Sequence, residues 1–254
     1  MRVTIPTFET KQELFAHLRE KKDEIIKEKR ALPIFSDVSM LLAATKGAAN
    51  KAEVSDRFSV KLIANLANWM DSHDDVMLPG SWLKSINEKG TSIPVLRDHE
   101  HSIGAKIGTT LAVYAEDIVL SDIGYTESDV KQAEGLIFEF EPKREYDEKL
   151  YLMYKNGEVT QHSIGLQYVK IDMAINEEGE SDEYKNWLKY FPQVINKEKA
   201  DERGYFFAVK EAKIFEVSAV LFGSNVMTPV LGIENIKGLS TNVKKQPSLF
   251  LKRF

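Results

Sequence analysis

The pattern of apolar and polar positions changes period near residue 57. Upstream, Leu14, Phe15, Leu18, Ile25 and Ile26 fall near helical spacing among Lys and Glu residues, which predicts a charged amphipathic helix over 7–31. Thr7 or Thr10 is placed to cap it, with Glu13 three residues after Thr10 as in a capping box, and Pro33 ends it. Met40, Leu41 and Leu42 predict a second helix over 37–51, against the weakening effect of Gly47-Ala-Ala-Asn. From Arg57 onward the period is two: Phe58, Val60, Leu62 and Ala64 alternate with Ser59, Lys61, Ile63 and Asn65. Further strands are predicted over 92–97, 106–115, 135–142, 161–172, 205–209 and 211–222. Helices are predicted over 82–88, 127–133 and 145–156, the last closed by Gly157. In the final strand, Phe215, Val217, Ala219 and Leu221 form one apolar face, and Ile214, Glu216, Ser218 and Val220 the other.

Strands that follow one another with few crossover helices disfavour a doubly wound sheet. The expected fold is a β-rich α+β domain built on a closed or nearly closed β-barrel edged by helices. It divides into an N-terminal helical arm (1–56), a barrel domain (57–232) and a basic tail (233–254). The arm either packs around the domain or acts as a detachable, partner-binding segment. Residues 173–204 interrupt the strands as a helical insertion, with Tyr184, Trp187, Leu188 and Phe191 expected on one helix face and no catalytic residue expected. From Asn235 to Phe254 the tail holds Lys237, Lys244, Lys245, Lys252 and Arg253 and no acid.

A length of 254 residues suffices to bury a core without disulfides or metals. The balance of 34 Lys and Arg against 39 Asp and Glu is not that of a general nucleic-acid binder. Apolar runs of about four residues, such as 41–44 and 219–222, fall far short of the ~20 a membrane span needs, and the N-terminus lacks the apolar core of a signal peptide. We therefore expect a soluble protein that stays where it is made. With 0 cysteines, disulfides, thiolate metal sites and cysteine nucleophiles are excluded. Imidazole chemistry falls to 5 histidines: His17, His73, His99, His101 and His162.

Among serines, Ser163 stands mid-strand in Gln161-His-Ser-Ile-Gly-Leu-Gln, two residues before Gly165, where a strand glycine can mark close approach of a ligand. The surroundings are not a G-x-S-x-G elbow, which disfavours an α/β-hydrolase. A serine nucleophile needs a base within hydrogen-bond reach. His162 is adjacent, but neighbouring strand residues point to opposite faces. His99 and His101 follow a strand and face one side. As an i, i+2 pair they offer two metal ligands, but the third and fourth are missing from the pattern; their plainer role is as surface histidines in a turn. The orienting acid has four candidates: Glu216, Glu139, Glu141 and Asp98. Glu216 interrupts an apolar strand, so it is expected to be partly buried and paired.

Four blocks in order resemble the prohead (procapsid) maturation proteases of tailed bacteriophages. They are Asp71-Ser-His-Asp-Asp-Val-Met-Leu-Pro-Gly-Ser-Trp-Leu-Lys-Ser-Ile, Ile93-Pro-Val-Leu-Arg-Asp-His-Glu-His-Ser-Ile-Gly, Gly157-Glu-Val-Thr-Gln-His-Ser-Ile-Gly-Leu, and Phe215-Glu-Val-Ser-Ala-Val-Leu-Phe-Gly-Ser-Asn-Val-Met-Thr-Pro-Val. Together they fall within 57–232. The resemblance implies the fold of the herpesvirus assembly proteases and a serine endopeptidase. Carried over by position, Ser163 matches the nucleophile and His99 the base, with His101 in reserve. Glu216 matches the Glu-Val-Ser block and is chosen as third member, where the herpesvirus enzymes use a second histidine. Backbone N–H groups near Gly165 are expected to receive the oxyanion.

No cofactor or metal is called for. The resemblance implies cleavage of phage scaffold and capsid-protein segments, and of the chain itself, inside the assembling procapsid in the bacterial cytoplasm. It also implies at least a dimer; the charge balance and the short apolar runs predict no nucleic-acid or membrane partner. The alternative expectation is a non-catalytic capsid-assembly or scaffold module on the same fold.

Overall fold

The computed structural model describes residues 3–31 and 55–236. The helix expected over 37–51 and the basic residues from 237 onward lie outside the described residues. Two helices, α1 (Lys11–Glu20) and α2 (Lys22–Ala31), stand where one was expected over 7–31. The capping box is present: the Thr10 hydroxyl accepts from the Glu13 N–H, and the Glu13 carboxylate accepts from the Thr10 N–H, each at 3.2 Å. The apolar stripe turns inward, burying Phe15, Leu18 and Ile25 in the main core. Lys29 on α2 is buried as well, with its ammonium 2.5 Å from Asp75 Oδ1.

The remaining elements run β1 (Phe58–Leu66), β2 (Asp75–Met77), α3 (Leu83–Lys89), β3 (Val95–Arg97), β4 (Gly108–Val119), β5 (Gln132–Pro142), α4 (Glu148–Lys155), β6 (His162–Ile175), α5 (Asp182–Tyr190), α6 (Lys197–Arg203), β7 (Tyr205–Ala219) and β8 (Val230–Asn235). The fold is β-rich α+β. The strands form two four-stranded sheets, and no closed barrel is found among the described residues. One sheet has the antiparallel order β4-β5-β1-β8. The other is built around β7. Phe207–Val209 pair with both β2 and β6, and Val217–Ala219 pair with both β3 and β6. A strand has only two edges, so β6 runs antiparallel along one, while β2 and β3 share the other, both parallel to β7.

Several expectations change. The helix predicted over 127–133 is absent: Gln132 and Ala133 begin β5, paired with Val119 and Ile118, and this ladder takes their backbone groups. The strands predicted over 205–209 and 211–222 are one continuous β7 ending at Ala219. β8 extends past residue 232, where the domain boundary was drawn, and pairs Phe58 with Asn235. The strand expected over 92–97 shortens to β3, because residues 90–92 form a 3-10 turn.

The main core lies between the sheets and receives Leu62, Phe138, Phe140, Leu166, Ile214 and Val217, with Tyr151 and Tyr154 from α4. The insertion packs on the far face of β7 through Trp187 and Tyr190 against Phe206 and Ala208. Leu188, expected on that face, is exposed, and Tyr190 takes its place. No helix among the described residues is long and apolar enough to cross a membrane.

Candidate active site

The end of β7 positions the candidate residues. Cross-strand pairing sets Ser163 directly opposite Ser218, and Gly165 opposite Glu216. Directly paired residues share a face, as do residues two apart on one strand. Ser163, Ser218 and Glu216 therefore stand on one face of the β6–β7 pair. All three are buried, with exposures of 4%, 0% and 1%. On the other edge, Leu96 of β3 pairs with Ser218, which places the chain leaving β3 beside the same patch.

That chain turns sharply. The Asp98 N–H donates to the Ala219 carbonyl, extending the strand pairing one residue past β3. Asp98 and His99 then adopt positive φ, 48° and 56°, and the Glu100 N–H closes the turn on the Arg97 carbonyl at 2.9 Å. Positive φ at both central positions is the pattern of a type I′ turn. Asp and His tolerate it better than most residues, at a cost on the order of 1 kcal/mol each. Arg97 braces the turn by bonding the Glu100 carboxylate and, at 2.9 Å, Asp147 Oδ2. Asp147 in turn caps α4 through the Leu150 N–H.

The turn brings the His99 ring back over the sheet. Nδ1 lies 2.6 Å from Glu216 Oε1. An ionised Glu216 can only accept in this contact, and the matching His99 tautomer carries its proton on Nδ1 and has Nε2 as the basic nitrogen. Ser218 completes the arrangement. Its hydroxyl donates to Glu216 Oε2 at 2.6 Å and accepts the His99 backbone N–H at 3.0 Å. One buried carboxylate thus bonds both the imidazole and the serine that holds the imidazole's own backbone.

The other candidates lie elsewhere. Glu139 accepts from the Tyr114 hydroxyl, and Glu141 is held by Arg57 and Lys143. Arg57 and Lys143 hold the Glu141 carboxyl below its ordinary range, with the Arg57 bond the largest cause. Asp98 contributes its backbone to the turn. His101 is exposed, two residues beyond His99. His162 lies on the opposite face from Ser163, fully buried, with Nε2 2.9 Å from the Tyr154 hydroxyl and Nδ1 3.1 Å from the Thr228 carbonyl. Burial pushes its pKa down to about 4, so it is neutral at pH 7 and structural.

Two features differ from the residue pattern. Glu216 pairs with Gly165 but Leu166 pairs with Ile214, so Phe215 is left over as a bulge. Ile214 consequently joins Val217 in the core, and Phe215 is half-buried beside Lys89 and Lys213. The sequence puts Ser218 on the Glu216 face, and the structure adds its role as a bridge between Glu216 and the His99 backbone. The signal is its spacing: a carboxylate side chain reaches the residue two positions along its own strand face. A cavity of about 400 Å³ adjoins the turn, lined in part by Asp98, Leu150, Met153, Val159 and Leu221.

No protein-family model matches the chain, and no curated protein or solved structure matches it.

Proposed function

We propose that the chain is a serine endopeptidase of phage procapsid maturation, with Ser163 as nucleophile, His99 as base and Glu216 as orienting acid. The observation that carries this reading is the 2.6 Å contact between His99 Nδ1 and Glu216 Oε1, beside a strand that presents Ser163 on the same face. The Ser-His-acid arrangement needs an imidazole whose tautomer is set by a buried carboxylate and whose other nitrogen meets the serine.

In this mechanism Ser163 Oγ attacks the scissile carbonyl as its proton passes to His99 Nε2. Glu216 stabilises the imidazolium. The proton then goes to the leaving amine as the peptide bond breaks, and water, deprotonated by His99, releases the acyl group. The finer fold assignment, a relative of the herpesvirus assembly proteases, belongs to the same proposal. So do the phage capsid and scaffold proteins as substrates, self-cleavage, a homo-oligomer and action inside the procapsid.

Co-expression with a procapsid's capsid and scaffold proteins, followed by intact-mass analysis of all chains, tests it. Wild type yields truncated products, and Ser163→Ala abolishes them while its thermal unfolding stays that of a folded protein. Equal processing by Ser163→Ala would overturn the nucleophile. Glu216→Gln is expected to cut turnover strongly but less than loss of Ser163. Unchanged turnover in Glu216→Gln would remove the acid from the reading.

A further inference from the structure

We propose that Asp71, His73 and Asp75 form a binding site for one divalent cation of the Mn²⁺ or Zn²⁺ type, and that the Lys29 ammonium competes for it. The three residues lie where the chain enters β2, on the β7 edge at the opposite end from His99. One ligand atom from each lies within 4.8 Å of the others, and all three residues are buried. Two carboxylates and one imidazole are a donor set suited to such ions.

The observation that points to a ligand is His73. Its side chain is buried, and Nδ1 has no hydrogen-bond partner. Its distance to Asp71 Oδ2 is 3.9 Å, too long for a hydrogen bond. It is, though, close to the ~3–3.5 Å separation of two ligands held at ~2.1 Å around one ion. Asp71 is preset for this geometry. Its Oδ1 accepts the backbone N–H groups of His73 and Asp75 at 2.8 and 3.1 Å, which fixes the carboxylate and leaves Oδ2 toward the imidazole. A buried nitrogen without a partner is costly, and a bound ion removes that cost.

Asp75 explains the competition. Its Oδ1 bonds the Lys29 ammonium at 2.5 Å, and its Oδ2 accepts from the Tyr168 hydroxyl at 2.7 Å. Lys29 supplies the positive charge that buried carboxylates need, in the place where a cation would supply it. A neighbouring cavity of about 440 Å³ is lined by both Lys29 and His73, so it gives an ion a route in and the ammonium a space to move into. Binding therefore exchanges an ammonium for a metal at Asp75.

The test uses the full-length chain and Mn²⁺. Electron paramagnetic resonance of free Mn²⁺ counts the bound ion, with one site expected. In wild-type protein, Mn²⁺ is expected to broaden the backbone amide signals of residues 71–75 before any others, a readout that needs no variant. His73→Gln is expected to weaken the affinity about tenfold or more, the least that loss of a direct ligand should cost. Lys29→Met, which removes the competitor, is expected to tighten it. The proposal is overturned by no binding, by broadening centred elsewhere, by His73→Gln binding like wild type, or by Lys29→Met leaving the affinity unchanged. The readouts are independent of Ser163 and of proteolysis.

Discussion

Ser218 holds two parts of the site at once. Its hydroxyl bonds the Glu216 carboxylate and receives the His99 backbone N–H, so it fixes both partners of the 2.6 Å imidazole contact. Ser218→Ala removes both bonds and leaves a carboxylate oxygen buried without that donor. The expected loss of stability is about 1–3 kcal/mol, measured by denaturant unfolding. Under the proposed function, Ser218 is a positioning residue, and turnover per folded molecule falls in Ser218→Ala. Ser218→Thr keeps the hydroxyl and is expected to restore most of it. Loss of stability with full turnover would make Ser218 structural only. Glu216 and Ser218 were both legible as face-mates because a strand alternates strictly between bulges. Ile214 and Phe215 were not, because one extra residue at 215 reverses the alternation on its far side, and nothing in the residue types announces a bulge. The positive φ at Asp98 and His99 was equally hidden, since it follows from pairing with β7 and not from local composition.

At the scale of elements, the arm tests how far periodicity alone can reach. The stripe of Phe15, Leu18 and Ile25 predicted an apolar face, but both a packed arm and a detachable one have such a face. Contact with the core distinguishes them. Leu18 is 0% exposed, and Phe15, Leu18 and Ile25 all join the cluster formed by both sheets. Lys29 adds a buried ion pair that Asp75 would otherwise lack. Leu18→Ala should therefore cost about 2–5 kcal/mol of global stability, as at other buried leucines. A detachable arm would instead leave the unfolding midpoint of the domain unchanged. Short or tightly constrained elements were the hardest to read. β2 has three residues, too few to display a period, and β5 starts inside a polar stretch that favoured a helix until β4 supplied its partner. Parallel pairing of β2 and β3 to β7 is a long-range property, and alternation within a strand does not encode the neighbour's direction.

At the scale of the molecule, the described residues hold three apolar clusters, and single strands contribute to more than one of them. β1 sends Leu62 and Ala64 into the main core and Ile63 and Leu66 into a second cluster on its other face. β7 sends Phe207 and Val209 into the main core and Phe206 and Ala208 into the third. Strands buried on both faces carry no clean alternation of apolar and polar residues, which is why a barrel and a two-sheet packing were not separable from the pattern. The same sharing means that melting one cluster exposes the back of a strand whose front belongs to another. Each cluster has its own tryptophan: Trp82 in the main core, Trp69 packed against the second and Trp187 in the third. Three variants, each keeping one tryptophan and replacing the other two with phenylalanine, turn fluorescence into a local probe. Within each variant, the fluorescence midpoint in denaturant is expected to coincide with that from far-ultraviolet circular dichroism, because a shared strand cannot be half unfolded. A Trp187 signal that moves before the backbone signal would show the insertion melting from β7 on its own. The coupling between the sheets would then be confined to the main core.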